Sequence, residues 1–540
     1  MAKHLSSFSR GTNPPWVVAL VALALAGAAV RFVHLDRKFW YHDEATTSLR
    51  VSGFQIGDVT DGIVGRVVEP DSFLRFQRVN SEHGVVDTAR SLAYNDPQHP
   101  PLFFVAARVW AGVFGSSISS LRALAALFGV GCVLAMYWLG RELFDDRLTP
   151  LALAALTAIS PFEFLYSQVA REYSLWAALV AASSAAFLRA LRIASSLNWA
   201  LYALLVALAL LTYPLTVLVV GSHLLFVLAA FGRAGIRYFR QIVLSLAAAA
   251  LVFAPWVYVM VKHRDAFSGG TNWTRDAIPF SESLRRWVVE VGLPFVDNPA
   301  LVRPLSLATG ALAALALALA AVAFGAFWSR GDRRAALFAT ALALSSAPLL
   351  AADLAFGGTR SVVPRFIVPT LLAIEIPVAF LLSTLLHSNR RVALGAGAAT
   401  LGCITIAAVL SYARSVDAPV WWTHDDGAAA DNVAAVRLLD RTRSPHLVST
   451  GVANPLEMSH YLKPQTRIAV VYEGRLAQRL EPGTLVYGSA ADGDAQERLS
   501  RLLGSIRHKQ PGTLRQLLPQ RPCCDARIAR RHDQLWRIAP

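Results

Sequence analysis

Charge is scarce in this 540-residue chain. Asp, Glu, Lys and Arg make up 16% of it, against 55% hydrophobic residues. A soluble globular domain carries about 25% charged residues, so the composition argues against a water-soluble fold. Cysteine is nearly absent, with four residues in all. Cys132 and Cys403 sit in apolar runs and read as packing. Cys523 and Cys524 are adjacent, so a bond between them would be strained. No Cys or His spacing suits a metal, and no internal repeat or low-complexity tract is present. A Gly-x-Gly-x-x-Gly fingerprint is missing too, which removes the sequence argument for a dinucleotide.

What the chain has instead is apolar length. "WVVALVALALAGAAV" and "TGALAALALALAAVAFGAF" approach the ~20 residues needed to cross a bilayer core of ~30 Å. Many such runs follow, so the expected fold is an α-helical polytopic membrane protein. The net charge of +15 invites a nucleic-acid reading. However, the basic residues cluster in short turns such as "WSRGDRRAA" and "HSNRRVA", which mark cytoplasmic loops. No nucleic-acid partner is expected. The basic N-terminus ahead of the first run reads as an uncleaved signal-anchor with its end inside.

The first run covers 16–33, and a polar loop, 34–98, follows on the outside. Its amphipathic pieces, 61–80 and 85–93, would suit helices lying on a surface. A second outside loop spans 262–304. Seven runs lie between the loops where parity needs an even number, so the expected total is 11 or 13 spans. Past 412 the pattern changes. "HLVSTG", "RIAVVY" and "GTLVYGSA" read as strands, with "NPLEMSHYL" and "DAQERLSRLLGSIR" as helices between them. That alternation predicts a small extracytoplasmic α/β domain over 413–540 with parallel strands, attached to a membrane domain over 1–412.

Four clusters could carry chemistry. "FWYHDEATTSL" holds Asp43 and Glu44 at a membrane mouth. On a helix their side chains diverge by about 100°, so they would split roles, one as base and the other holding a substrate or a cation. "YNDPQHPPLFF" places Asp96 and His99 where the chain re-enters the membrane, its prolines stiffening the approach. In "SPFEFLYSQVAREYSLW", Glu163, Arg171 and Glu172 interrupt an apolar stretch, with Tyr166, Gln168 and Tyr173 as polar partners. Arg171 could bind a lipid phosphate or simply neutralise Glu172. Finally, "VKHRDAF" and "GGTRSVVPRFIVP" put Arg264, Arg360 and Arg365 on the outside. This runs against the positive-inside trend and suggests an anionic ligand at the outer leaflet.

The order "WYHDEATTSL", "DPQHPPLFF", "SPFEFLYSQVAREYSL", "PRFIVPTLLA" resembles the GT-C glycosyltransferases. The likeness is strongest to the branch of protein mannosyltransferases and lipid A aminoarabinose transferases, and it covers most of 30–390. It implies an inverting glycosyltransferase that takes a hexose or pentose from a polyprenyl-phosphate carrier on the extracytoplasmic side. By the same likeness Asp43 matches the catalytic base and Glu44 is its partner. His99, Arg171 and Arg365 bind the donor phosphate, with Tyr166, Glu172, Arg264 and Arg360 as weaker candidates. The acceptor stays open among lipid, glycan and protein. No cofactor is required, although a divalent cation at Asp43 and Glu44 is compatible with the residues. A transporter or flippase of a lipid-linked or anionic substrate is the competing class. Such proteins usually show internal repeats and midplane charges, whereas these charges lie at span ends.

Overall fold

The computed structural model describes residues 14–297, 307–421, 428–472, 480–488, 493–510, 512–517 and 534–539. The expected signal-anchor tail and the Cys523–Cys524 pair lie outside the described residues. Among the described residues, seven helices are long and apolar enough to cross a membrane, or eight if a bent pair counts as one. The bundle centre pairs Ile118–Leu143 with Tyr173–Arg192. Val368–Leu386 packs against Leu148–Ile159, which also carries the first helix, Pro14–Val30. The expected 11 or 13 spans would be reached only if shorter apolar helices crossed as well. Pro14–Val30, Leu102–Phe114 and Ser196–Leu210, for example, have 17, 13 and 15 residues.

Two local features shape this bundle. Gly27 lets the first helix approach Leu148–Ile159 closely, because a Cβ there would collide with the Ala158 carbonyl. That second helix breaks at Ser160 and turns by 57° into Pro161–Ser167. Pro161 forces Ser160 out of the helical region (ψ 121°). The break frees backbone carbonyls inside the bundle, where an unsatisfied polar group costs several kcal/mol. The buried Arg31 guanidinium meets that need by donating to Thr157 O (2.9 Å) and Ala158 O (2.5 Å).

The first polar loop is mostly short helix: His42–Val51, Ile56–Ile63, Asp71–Leu74 and Val85–Asn95. A helix therefore occupies the amphipathic piece 85–93, whereas 61–80 holds the end of one helix, a two-residue strand at Val67–Val68 and the short helix Asp71–Leu74. Gly53, with φ +88°, allows the sharp turn after the first of them, and His83 crowds the space where a Cβ would stand.

The C-terminal region is built on a six-stranded sheet. Strand β1 is Val67–Val68 of the first loop, and β2 His446–Ser449, β3 Arg467–Val470 and β4 Leu485–Gly488 come from past 412. β5 is Leu514–Gln516 and β6 Gln534–Ile538. The order is β1-β3-β2-β4-β6-β5. The three strands expected from sequence pair in parallel at the centre, β3-β2-β4. The antiparallel flanks were not anticipated: β6 and β5 on one side, β1 on the other. The last long helix also runs to Asp417, past the expected boundary at 412.

The sheet region is stitched to the first loop through Gln77. Its Oε1 accepts from Trp40 Nε1 (3.2 Å) and Ser48 Oγ (2.9 Å), and its Nε2 donates to Leu456 O (2.8 Å). Stranding such buried partners costs about 1–3 kcal/mol each. Gln77→Leu is therefore expected to lower the thermal midpoint in detergent and to expose the C-terminal region to limited proteolysis. An unchanged midpoint would show the seam to be dispensable.

Candidate functional site

Asp43 and Glu44 begin the His42–Val51 helix, so their side chains leave it in different directions. Glu44 is fully buried. Arg122, from the Ile118–Leu143 helix, grips both its oxygens, Nε to Oε1 at 2.7 Å and Nη2 to Oε2 at 2.5 Å. The Ala170 amide adds a third bond at 2.9 Å. Arg122 also donates to the carbonyls of Leu35, Lys38 and Phe39, which fastens the chain entering the helix. Glu44 thus holds the base of the loop and is not presented beside Asp43. A cation bridging the two carboxylates would have to displace Arg122 from both Glu44 oxygens.

Asp43 is half-buried. Its carbonyl accepts from Thr47 Oγ1 (2.8 Å) and Arg171 Nη1 (3.5 Å), and Tyr41 Oη lies 3.4 Å from its Oδ2. Arg171 sits just beyond the broken helix, at the entry to Tyr173–Arg192, and joins a compact ionic group. Its Nε is 3.2 Å from Glu172 Oε2, and its Nη2 is 3.0 Å from His99 Nε2. Glu172 in turn meets His99 Nδ1 at 2.8 Å. An arginine only donates, so the neutral ring accepts at Nε2 and donates from Nδ1 to Glu172. Burial by itself would raise the Glu172 carboxyl pKa. The Arg171 charge, together with the hydrogen bond from His99, outweighs it and holds the group below its ordinary value, hence ionised. Asp96 behaves alike: burial pushes its carboxyl up, but the Arg50 guanidinium at 2.6 Å brings it down.

Arg365 approaches from the far end of the sequence, just ahead of the Val368–Leu386 helix. Its guanidinium stands over the rings of Trp273 (5.1 Å), Phe366 (5.7 Å) and Tyr173 (5.9 Å). Tyr173 packs edge-on against Tyr166 (5.1 Å) and Tyr213 (6.1 Å). Asp43, Tyr166, Tyr173 and Tyr213 all lie within electrostatic reach of Arg365. The structure therefore gathers Asp43, His99, Arg171, Glu172, Tyr166 and Arg365 into one neighbourhood.

The other two candidates stand apart. Arg264 is exposed at the start of a short helix, 3.9 Å from Asp265. Arg360 is paired with Asp353 at 2.9 Å and with the Gly357 carbonyl. That partner accounts for the arginine without any ligand. Sequence reading does not single out Arg122, Tyr213 or Trp273. Arg122 carried the one usable signal, an arginine within an apolar run. The rings carried none, because aromatics at helical spacing usually pack a core.

Comparison with known proteins bears on the fold. Residues 98–259 match the family of dolichyl-phosphate-mannose-protein mannosyltransferases. The chain also resembles the crystal structure of ArnT from Cupriavidus metallidurans bound to undecaprenyl phosphate. The match covers 97% of this chain and 98% of that one, at 15% identity and a TM-score of 0.53. The apo state of ArnT matches over 90% and 94%, at 16% identity and a TM-score of 0.52. No curated protein matches the chain in sequence. The architecture is that of the GT-C glycosyltransferases, in agreement with the resemblance read from the sequence motifs.

Proposed function

We propose that this protein is an inverting glycosyltransferase. It moves a sugar from a polyprenyl-phosphate carrier to an acceptor on the extracytoplasmic side of the cell membrane. The observation that carries this reading is the placing of Asp43 beside Arg171, which bonds its backbone carbonyl, and within electrostatic reach of Arg365. These three residues lie far apart in sequence, and the arginines sit beside the aromatic wall of Tyr166, Tyr173 and Tyr213.

In this reading Asp43 takes the proton of the acceptor hydroxyl or amine as it attacks the anomeric carbon. The bond from that carbon to the phosphate oxygen breaks, and the polyprenyl phosphate leaves with the electron pair. Arg365 and Arg171 stabilise the charge that collects on the departing phosphate. His99 and Glu172 position Arg171 by occupying its other donors, which removes rotational freedom before the donor arrives. The tyrosines and Trp273 supply an apolar wall for the sugar face and exclude water. Positive side chains on the outside, which run against the usual topology, acquire a reason as partners of the carrier phosphate.

The direct test is incubation of the purified protein with radiolabelled polyprenyl-phosphate sugars and a cell-envelope extract that supplies acceptor lipids, glycans and proteins. Release of free carrier phosphate is expected for at least one donor, and no release from any donor would refute the proposal. A narrower test replaces Arg365 by alanine. Loss of a hydrogen-bonded charge is worth about 1.5–3 kcal/mol, so the apparent KM for the lipid donor is expected to rise at least tenfold. Unchanged donor kinetics would reduce Arg365 to a headgroup anchor. Cysteine labelling of residues past 412 from the outer side tests the orientation.

A further inference from the structure

Asp43 opens the His42–Val51 helix, and its place depends on the non-helical segment 38–40 that leads into that helix. The bundle holds this segment from one side, where Arg122 donates to the Lys38 and Phe39 carbonyls. Residues past 412 hold it from the other. The Phe39 amide donates to the Pro419 carbonyl at 2.8 Å, and the Lys38 ammonium donates to the carbonyls of Ser415 and Ala418.

Tyr461 of the C-terminal region, just beyond the Ala453–Met458 helix, completes the grip. Its Oη accepts from the Trp40 amide at 2.7 Å and donates to the Lys38 carbonyl at 3.3 Å. A phenol can do both at once, and both capacities are used. Its ring stacks on Phe39, with centroids 4.7 Å apart. One side chain thus brackets residues 38, 39 and 40. The preceding helix adds Glu457, whose Oε1 lies 3.5 Å from Nδ1 of His42, the neighbour of Asp43. Asn432 Nδ2 fixes Glu457 in turn, donating to its Oε2 at 2.7 Å. The first turn of the Asp43 helix closes without Tyr461, because the Tyr41 carbonyl accepts the Glu44 and Ala45 amides at 3.0 Å each. The Tyr461 hydroxyl therefore bears on where the helix begins and not on whether it forms.

We propose that Tyr461 is a positioning residue for glycosyl transfer, through which the C-terminal region sets where Asp43 stands against the acceptor. This rests on the glycosyl-transfer reading above. A general base acts only within hydrogen-bond reach of the proton it takes, about 2.6–3.2 Å. A misplacement of about 1 Å by a change remote from the chemistry can cost about 10²-fold in rate. The carrier side is held by other elements, Arg171 by His99 and Glu172 and Arg365 over its rings. A displaced Asp43 should therefore slow turnover without weakening donor binding.

The experiment uses the full-length protein, the polyprenyl-phosphate sugar that wild type consumes, and the envelope extract as acceptor. Tyr461→Phe keeps the ring on Phe39 and removes only the hydroxyl. Its kcat is expected to fall about tenfold or more, also when normalised to folded protein. The donor KM and the affinity for undecaprenyl phosphate should match wild type, and the thermal midpoint should move by only a few degrees. Tyr461→Ala should lower kcat further, with the donor KM still unchanged. Wild-type turnover in Tyr461→Phe would overturn the positioning role and leave the transfer reading intact. A kcat loss that vanishes on normalisation, or that comes with an equal loss of undecaprenyl phosphate binding, would also overturn it by making the residue structural. A wild type that consumes no donor would overturn the transfer reading and this inference with it.

Discussion

Replacing Asp43 by asparagine is expected to abolish sugar transfer, a fall of at least the 10²–10⁴-fold that a positioned general base contributes, while the protein still inserts and folds. The substitution keeps the shape of the side chain and removes its ability to take a proton. It leaves the backbone carbonyl of residue 43 in place, so Thr47 and Arg171 keep the bonds they make to it. The Tyr41 contact is already long at 3.4 Å, and its loss should cost little. Transfer from the best radiolabelled donor and the thermal midpoint in detergent are the two measurements. Full activity in Asp43→Asn would take the catalytic role away from this residue. Inactivity with a collapsed midpoint would instead show that the carboxylate is structural.

Glu44→Gln should behave in the opposite manner and lose the fold first. It leaves the fully buried Arg122 guanidinium without its counter-charge, and breaking a buried pair from one side costs about 3–5 kcal/mol. The expected result is a sharply lower midpoint and poor recovery of protein, with activity lost in proportion to folded material. Arg122→Lys should not substitute, because an ammonium cannot span both Glu44 oxygens and three backbone carbonyls as the planar fork does. The double replacement Glu44→Leu with Arg122→Met should regain part of the loss. It removes both charges, yet it still strands the carbonyls of Leu35, Lys38 and Phe39. A Glu44→Gln protein as stable as wild type but without turnover would return Glu44 to the chemistry, which is where the sequence reading had put it.

The contrast between these neighbours shows what periodicity can tell. Helical geometry alone says that Asp43 and Glu44 cannot share a target, and the structure sends one towards the arginines and the other into the core. Which goes where depends on Arg122, 78 positions away from Glu44, and on the Ala170 amide. His99 and Arg171 were visible as polar residues at span entries. Their joint geometry with Glu172 was not, because it requires the helix break at Ser160 to turn the following segment. Arg264 and Arg360 looked as good as Arg365 in sequence, since a charge outside the membrane looks the same whether it faces solvent, an internal aspartate or a pocket.

The sequence by itself determined the class of molecule, through apolar runs that only a bilayer or a large helical core can hide. It also determined the central parallel strands, through short buried segments separated by helices, and the order of motifs that resembles the GT-C enzymes. Tertiary structure alone decided the composition of the site and the entry of Val67–Val68 into the C-terminal sheet. The reason is common to both: local patterning records which face of an element is apolar, but a buried charge or an edge strand is defined by the partner that reaches it, and those partners arrive from other elements.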